Sequence, residues 1–96
     1  MRCTLGWSVI VGDRATKALK KLPRHIAVNF LGWVDDVETD GLLSVRKLPG
    51  YHDEPLKGKW IGYRSIRLSR SYRAIYRIEE NVAKVITVVE VNKHEY

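Results

Sequence analysis

Two arginines, Arg67 and Arg73, flank a short polar break, and their spacing sets them opposite each other. The chain reads Tyr63-Arg64-Ser65-Ile66-Arg67-Leu68, then Ser69-Arg70-Ser71, then Tyr72-Arg73-Ala74-Ile75-Tyr76-Arg77-Ile78. With the three small or polar residues as a hairpin loop, Leu68 pairs with Tyr72, Arg67 with Arg73, and Ile66 with Ala74. Like charges directly opposite on a sheet destabilise it, so such a pair implies an anion between them. Upstream lies Glu54-Pro55-Leu56-Lys57-Gly58, and downstream His94-Glu95-Tyr96. A carboxylate, an anion clamp, an imidazole and a stacking ring can together cut RNA without a metal. RNA brings its own nucleophile: the 2′-hydroxyl attacks the adjacent phosphate once a base takes its proton. Cations then stabilise the phosphorane, and an acid protonates the departing 5′-oxygen.

Each of these residues has a plainer reading when taken singly. Glu54 could be a solvated loop acid, and His94 and Tyr96 a frayed end. Arg73 could be held by a surface ion pair with Glu54, Glu90 or Glu95. Their conjunction favours chemistry. Other site types lack their parts: no Ser, Cys and His ordering resembles a hydrolase triad, and there is no Gly-rich phosphate loop. His25, His52 and His94 are scattered, and the single Cys3 cannot build a zinc site. Adjacent carboxylates such as Asp53-Glu54 are common, so no metal or cofactor is expected. His52 is read as stabilising the loop beside Glu54 rather than transferring protons. Trp60, among Lys57, Gly58 and Lys59, is read first as a loop anchor and second as a ring on which a base could stack.

The chain has 96 residues, room for one domain with a modest core. A lone cysteine and the lack of a long apolar run or signal pattern point to a soluble cytoplasmic protein. The formal charge is +6 and unevenly placed: from Arg46 to Arg77, nine basic residues face only Asp53 and Glu54. Arg14, Lys17, Lys20, Lys21 and Arg24 make a second basic block, which suits a polyanion partner as well as a solvated surface. Asp35, Asp36, Glu38 and Asp40 form an acidic one.

The elements that must position these groups follow from periodicity. Trp7 to Val11 reads as a strand, and Asp13 as the cap of a helix whose apolar stripe is Ala15, Ala18, Leu19 and Leu22. Pro23 separates it from a second helix, about Arg24 to Glu38, burying Ile26, Phe30, Trp33 or Val34, and Val37. Asp40-Gly41 stops that helix, and a helical turn falls within Leu42–Leu48. From Leu56 the period becomes two, giving strands over Tyr63–Leu68, Tyr72–Glu79 and Val82–Val91 with a turn at Glu80-Asn81. Ile66, Leu68, Ala74, Tyr76, Ile78, Ala83, Val85 and Val89 should share the helix-covered face. Arg67 and Arg73 then fall on the other face, which no helix needs to cover. This is an α+β domain: an N-terminal strand and helical hairpin on one face of a small, mainly antiparallel sheet.

That order of elements resembles the RelE/ParE superfamily of bacterial type II toxins. The runs His52-Asp53-Glu54-Pro55-Leu56-Lys57-Gly58, Tyr63–Leu68, Tyr72–Arg77 and Asn92-Lys93-His94-Glu95-Tyr96 look like its RelE-type, messenger-RNA-cleaving branch, closest to YoeB-like and HigB-like toxins. The resemblance implies Glu54 as general base, Arg67 and Arg73 as phosphate ligands, His94 as general acid and Tyr96 as nucleotide-positioning ring. Glu95 departs from the family pattern, in which histidine and tyrosine are adjacent or nearly so. In an extended tail, one inserted residue could turn the ring the other way. The activity implied is a metal-independent, ribosome-dependent endoribonuclease leaving a 2′,3′-cyclic phosphate and a 5′-hydroxyl. Implied partners are a cognate antitoxin, the ribosomal A site with its mRNA and rRNA, and operator DNA through the antitoxin complex. Lys17, Lys20, Lys21, Arg24, Lys57, Lys59 and Trp60 are candidate RNA contacts. Two alternatives remain open: a ParE-like toxin that inhibits DNA gyrase by binding, and an inactive relative that only binds antitoxin.

Overall fold

The computed structural model describes residues 6–90. In chain order these form β1 (Ser8–Val11), α1 (Asp13–Lys20), α2 (Arg24–Asp40), α3 (Leu42–Val45), β2 (Glu54–Pro55), β3 (Arg64–Arg67), β4 (Tyr72–Glu79) and β5 (Val82–Glu90). The five strands lie in the order β1-β5-β4-β3-β2. Only the β1–β5 pairing is parallel. No helix among the described residues is long and apolar enough to cross a membrane.

The helices form where spacing places them, with small shifts at their ends. Asp13 is the first residue of α1 rather than its cap: Gly12 takes that position, and no side chain caps the helix. The Asp13 carboxylate still lies in the first turn, where the helix dipole favours it. Ala15 is fully buried, and Ala18, Leu19 and Leu22 pack against the core behind it. Pro23 occupies the cap position of α2, whose carbonyl accepts from the amides of Ile26 and Ala27. α2 buries Ile26, Phe30, Trp33 and Val37, a stripe at the helical period, and ends at Gly41, whose φ of 86° suits a residue without a Cβ.

That stripe packs on one face of the sheet, against Ile66, Leu68, Ala74, Tyr76, Ala83, Val85 and Val88. The β3–β4 hairpin has the register its loop dictates, Ile66 opposite Ala74 and Arg67 opposite Arg73. The Leu68 amide closes it on the Tyr72 carbonyl at 3.0 Å. The turn into β5 falls at Glu80, which takes a left-handed φ of 54°, and Asn81.

Two expectations about the sheet need correction. Val89 does not share the core face. A bulge between Ile75 and Tyr76 sets Ile75 opposite Thr87 but Tyr76 opposite Val85, so β5 carries one extra residue there. Past that point its alternation inverts: Val88 enters the core, and Val89 lies across from Arg73. The second face is also less bare than expected. Ser65 and Ile75 are 0% exposed, Thr87 4% and Val89 8%. The Arg73 side chain lies across Ser65, and the loop carrying His52 reaches this side of the sheet.

Candidate active site

Glu54 stands opposite Ser65 at the edge of the sheet, and Arg67 opposite Arg73 two pairs further along, all on the second face. Arg73 is held on three sides. Its Nε donates to Ser65 Oγ at 2.9 Å, and its Nη2 donates to the His52 carbonyl at 2.8 Å and lies 3.3 Å from Glu54 Oε1. Arg67 Nη1 lies 3.3 Å from His52 Nε2. The Arg73 side chain is only 12% exposed, whereas that of Glu54 is 59% exposed. The ion pair read as the plain alternative for Arg73 therefore exists, but with a solvated carboxylate worth little energetically. Two guanidiniums against one carboxylate leave the cluster positive.

A second like-charged pair shows why this one differs. Arg77 faces Lys84 across β4 and β5, and Glu79 lies 2.7 Å from the one and 3.8 Å from the other. Both cations are 39% exposed, so water screens their repulsion. Arg73 has far less water around it, and its charge is felt more strongly by any anion that reaches it.

The segment carrying His52 and Glu54 is anchored by the residue between them. Asp53 points to the helix side, its carboxylate only 1% exposed. One oxygen accepts from Arg64 Nε at 2.5 Å, and the other accepts a short hydrogen bond from the Tyr76 phenol. Tyr76 in turn packs on Trp33, ring centroids 5.2 Å apart. Burial would lower the pKa of Arg64, but the hydrogen bond and charge of Asp53 outweigh it and leave it raised. Asp53 and Glu54 thus diverge to opposite faces rather than sharing one ion. Nothing in the sequence reading singled out Asp53. The signal available was that an acid alternating with Glu54 in a strand must face the core and find partners there.

Burial, then the Asp53 hydrogen bond and charge, raise the Tyr76 pKa well above its ordinary 10.0. A phenol whose folded pKa is raised adds stability below its unfolded value, and that stability is lost as pH climbs past about 10. The wild type should lose stability there at up to about 1.4 kcal/mol per pH unit from this group. Tyr76→Phe should be less stable at neutral pH and show a flatter alkaline limb. Urea midpoints between pH 8 and 11 would reveal it, and identical slopes would disprove the linkage.

The other expected site residues divide into three groups. His94 and Tyr96 lie outside the described residues. Lys17 and Lys21 line a cavity of about 640 Å³ with Arg14, Trp60 and Tyr72. Lys20, Lys57 and Lys59 are exposed elsewhere on the surface, and Arg24 lines a separate groove with His25 and Val28. Trp60 sets its ring edge-on to Tyr63 at 5.2 Å, as a loop anchor would.

Comparison with known proteins gives this geometry a context. The sequence model of a family described as "ParE toxin of type II toxin-antitoxin system, parDE" matches residues 9–95. No curated protein sequence matches the chain. Among solved structures, the archaeal RelE–RelB complex from Pyrococcus horikoshii OT3 is 24% identical with a TM-score of 0.70, over 90% of this chain and 96% of that one. YafQ from E. coli strain BL21(DE3) superposes with a TM-score of 0.71 at 19% identity, over 94% and 99%. The YoeB dimer from Staphylococcus aureus gives 0.67 at 17% identity, over 86% and 94%. These likenesses show the fold. With the family match spanning nearly all of the sequence, the chain belongs to the ParE toxin family of type II toxin–antitoxin systems, within the RelE/ParE superfamily.

Proposed function

We propose that this toxin is an endoribonuclease that cuts mRNA on the ribosome by attack of the 2′-hydroxyl on the adjacent phosphate. The observation that carries the reading is the Arg67–Arg73 pair, with Glu54 and His52 within 3.3 Å of its guanidinium nitrogens. The guanidiniums would bind the scissile phosphate and the charge that grows on it, taking over the anion role that solvated Glu54 fills weakly in the resting protein. The 52–54 segment would supply the base, with Glu54 the member indicated by family resemblance. His94 would serve as the acid and Tyr96 as the positioning ring. The basic cavity lined by Lys17, Lys21 and Trp60 suits rRNA or flanking message. A cognate antitoxin is the natural inhibitor; the similar archaeal RelE was solved bound to RelB.

Single-turnover incubation with 70S ribosomes programmed with mRNA tests the proposal. Cleavage should leave a 2′,3′-cyclic phosphate and a 5′-hydroxyl, and a 2′-deoxy nucleotide at the cut site should abolish it. Intact message, or cleavage that survives the deoxy substitution, would refute the chemistry. The matching family carries the ParE name, which favours a second reading: inhibition of DNA gyrase by binding alone. Under that reading, inducing the protein would stall DNA replication while messages stay whole.

A further inference from the structure

His52 is bound into the arginine site more closely than a loop-stabilising residue needs to be. Its carbonyl accepts from Arg73 at 2.8 Å, and its Nε2 lies 3.3 Å from Arg67 Nη1. It also holds a left-handed backbone, φ 45° and ψ 48°, a conformation that costs a non-glycine residue energy. That conformation is fixed from both sides: the His52 amide donates to the Pro49 carbonyl at 3.2 Å, and the next residue is the buried Asp53. Strain held in place from both directions, at a residue touching both arginines, points to function.

The contact also defines the chemistry. A guanidinium can only donate, so Nε2 is the acceptor in this contact. A lone pair aimed at a phosphate-binding group is a base held in reserve. Glu54 Oε1 lies equally near Arg73 Nη2, at 3.3 Å, but on a side chain that is 59% exposed. An RNA phosphate that takes Arg67 would free Nε2 one hydrogen bond away from the oxygens that Arg67 grips.

From this, and resting on the nuclease reading above, we infer that His52 Nε2 is the group that takes the 2′-hydroxyl proton, while Glu54 offsets part of the arginine charge. The O2′–H bond breaks and its proton passes to Nε2. The O2′–P bond forms, the P–O5′ bond breaks, and O5′ takes a proton from the general acid or from water. The imidazolium then returns its proton to solvent. The charged groups facing His52 are Arg67 from β3, Arg73 from β4 and Glu54 from β2; Asp53 is turned to the opposite face.

The test is His52→Asn, since asparagine tolerates the left-handed backbone and the fold can be checked by thermal melting. Single-turnover cleavage on 70S ribosomes should fall about 10²-fold. A base works deprotonated, so the ratio of wild-type to H52N rate should rise with pH. Taking the ratio removes any pH effect of the ribosome or of His94. His52→Gly should in turn recover part of its rate with added imidazole. A ratio near one, or a lowered rate whose ratio is flat with pH and is not rescued, would overturn the assignment while leaving the nuclease reading intact. A wild-type protein that cuts no message would overturn both.

Discussion

Arg73→Ala should slow single-turnover cleavage of ribosome-bound message by about 10²–10³-fold, the usual loss when one preorganised donor to a developing anion is removed. On sequence alone the substitution looks harmless to folding, because it relieves repulsion from Arg67. The structure changes that expectation. Arg73 supplies a hydrogen bond to Ser65, which is fully buried, and another to the His52 carbonyl. Leaving the Ser65 hydroxyl without its donor should cost about 1–3 kcal/mol, part of it returned by the lost repulsion. The rate and the urea midpoint should therefore both fall, the rate by much more. Arg73→Lys keeps the charge but not the planar fork, so it should recover stability better than cleavage. A folded Arg73→Ala protein that cleaves at the wild-type rate would remove the phosphate-binding role from this pair.

Asp53→Ala should cost the fold about 3–5 kcal/mol, because it leaves one partner of a buried ion pair without the other. Arg64, 20% exposed, would keep its charge, and the Tyr76 phenol, wholly enclosed, would lose its acceptor. Small domains have about 5–15 kcal/mol in total, so a large share of the stability would go. Urea unfolding measures the loss. Adding Arg64→Met should restore much of it, since removing both charges avoids the unpaired one. If Asp53→Ala unfolds at the wild-type midpoint, the pair is not a structural anchor. Where the single variant remains folded, its cleavage should also suffer, because His52 and Glu54 flank the lost anchor in the chain.

The legible parts of this protein were those governed by local rules. A three-residue loop fixed the register of Arg67 against Arg73, and the helical period of Ile26, Phe30, Trp33 and Val37 named the buried stripe of α2. Contacts between distant segments were not legible. Val89 was assigned to the wrong face because a strict alternation cannot register one extra residue in β5. Asp53 looked like half of an acidic pair, and only the arrival of Arg64 and Tyr76 from other strands gives it its role. His52 drew little notice because its value comes from a twisted backbone that no spacing rule reveals.

The bulge opposite Ile75 and Tyr76 has a further effect on Arg73. By turning β5 over partway along, it sends Val88 into the core and sets Val89, 8% exposed, opposite Arg73, with the enclosed Ile75 two residues along β4 on the same side. The arginine thus rises from an apolar stretch of sheet, while its guanidinium meets the Ser65 hydroxyl, the His52 carbonyl and Glu54. A single surplus residue in a strand thereby decides which of two adjacent valines the core takes and which one backs the arginine.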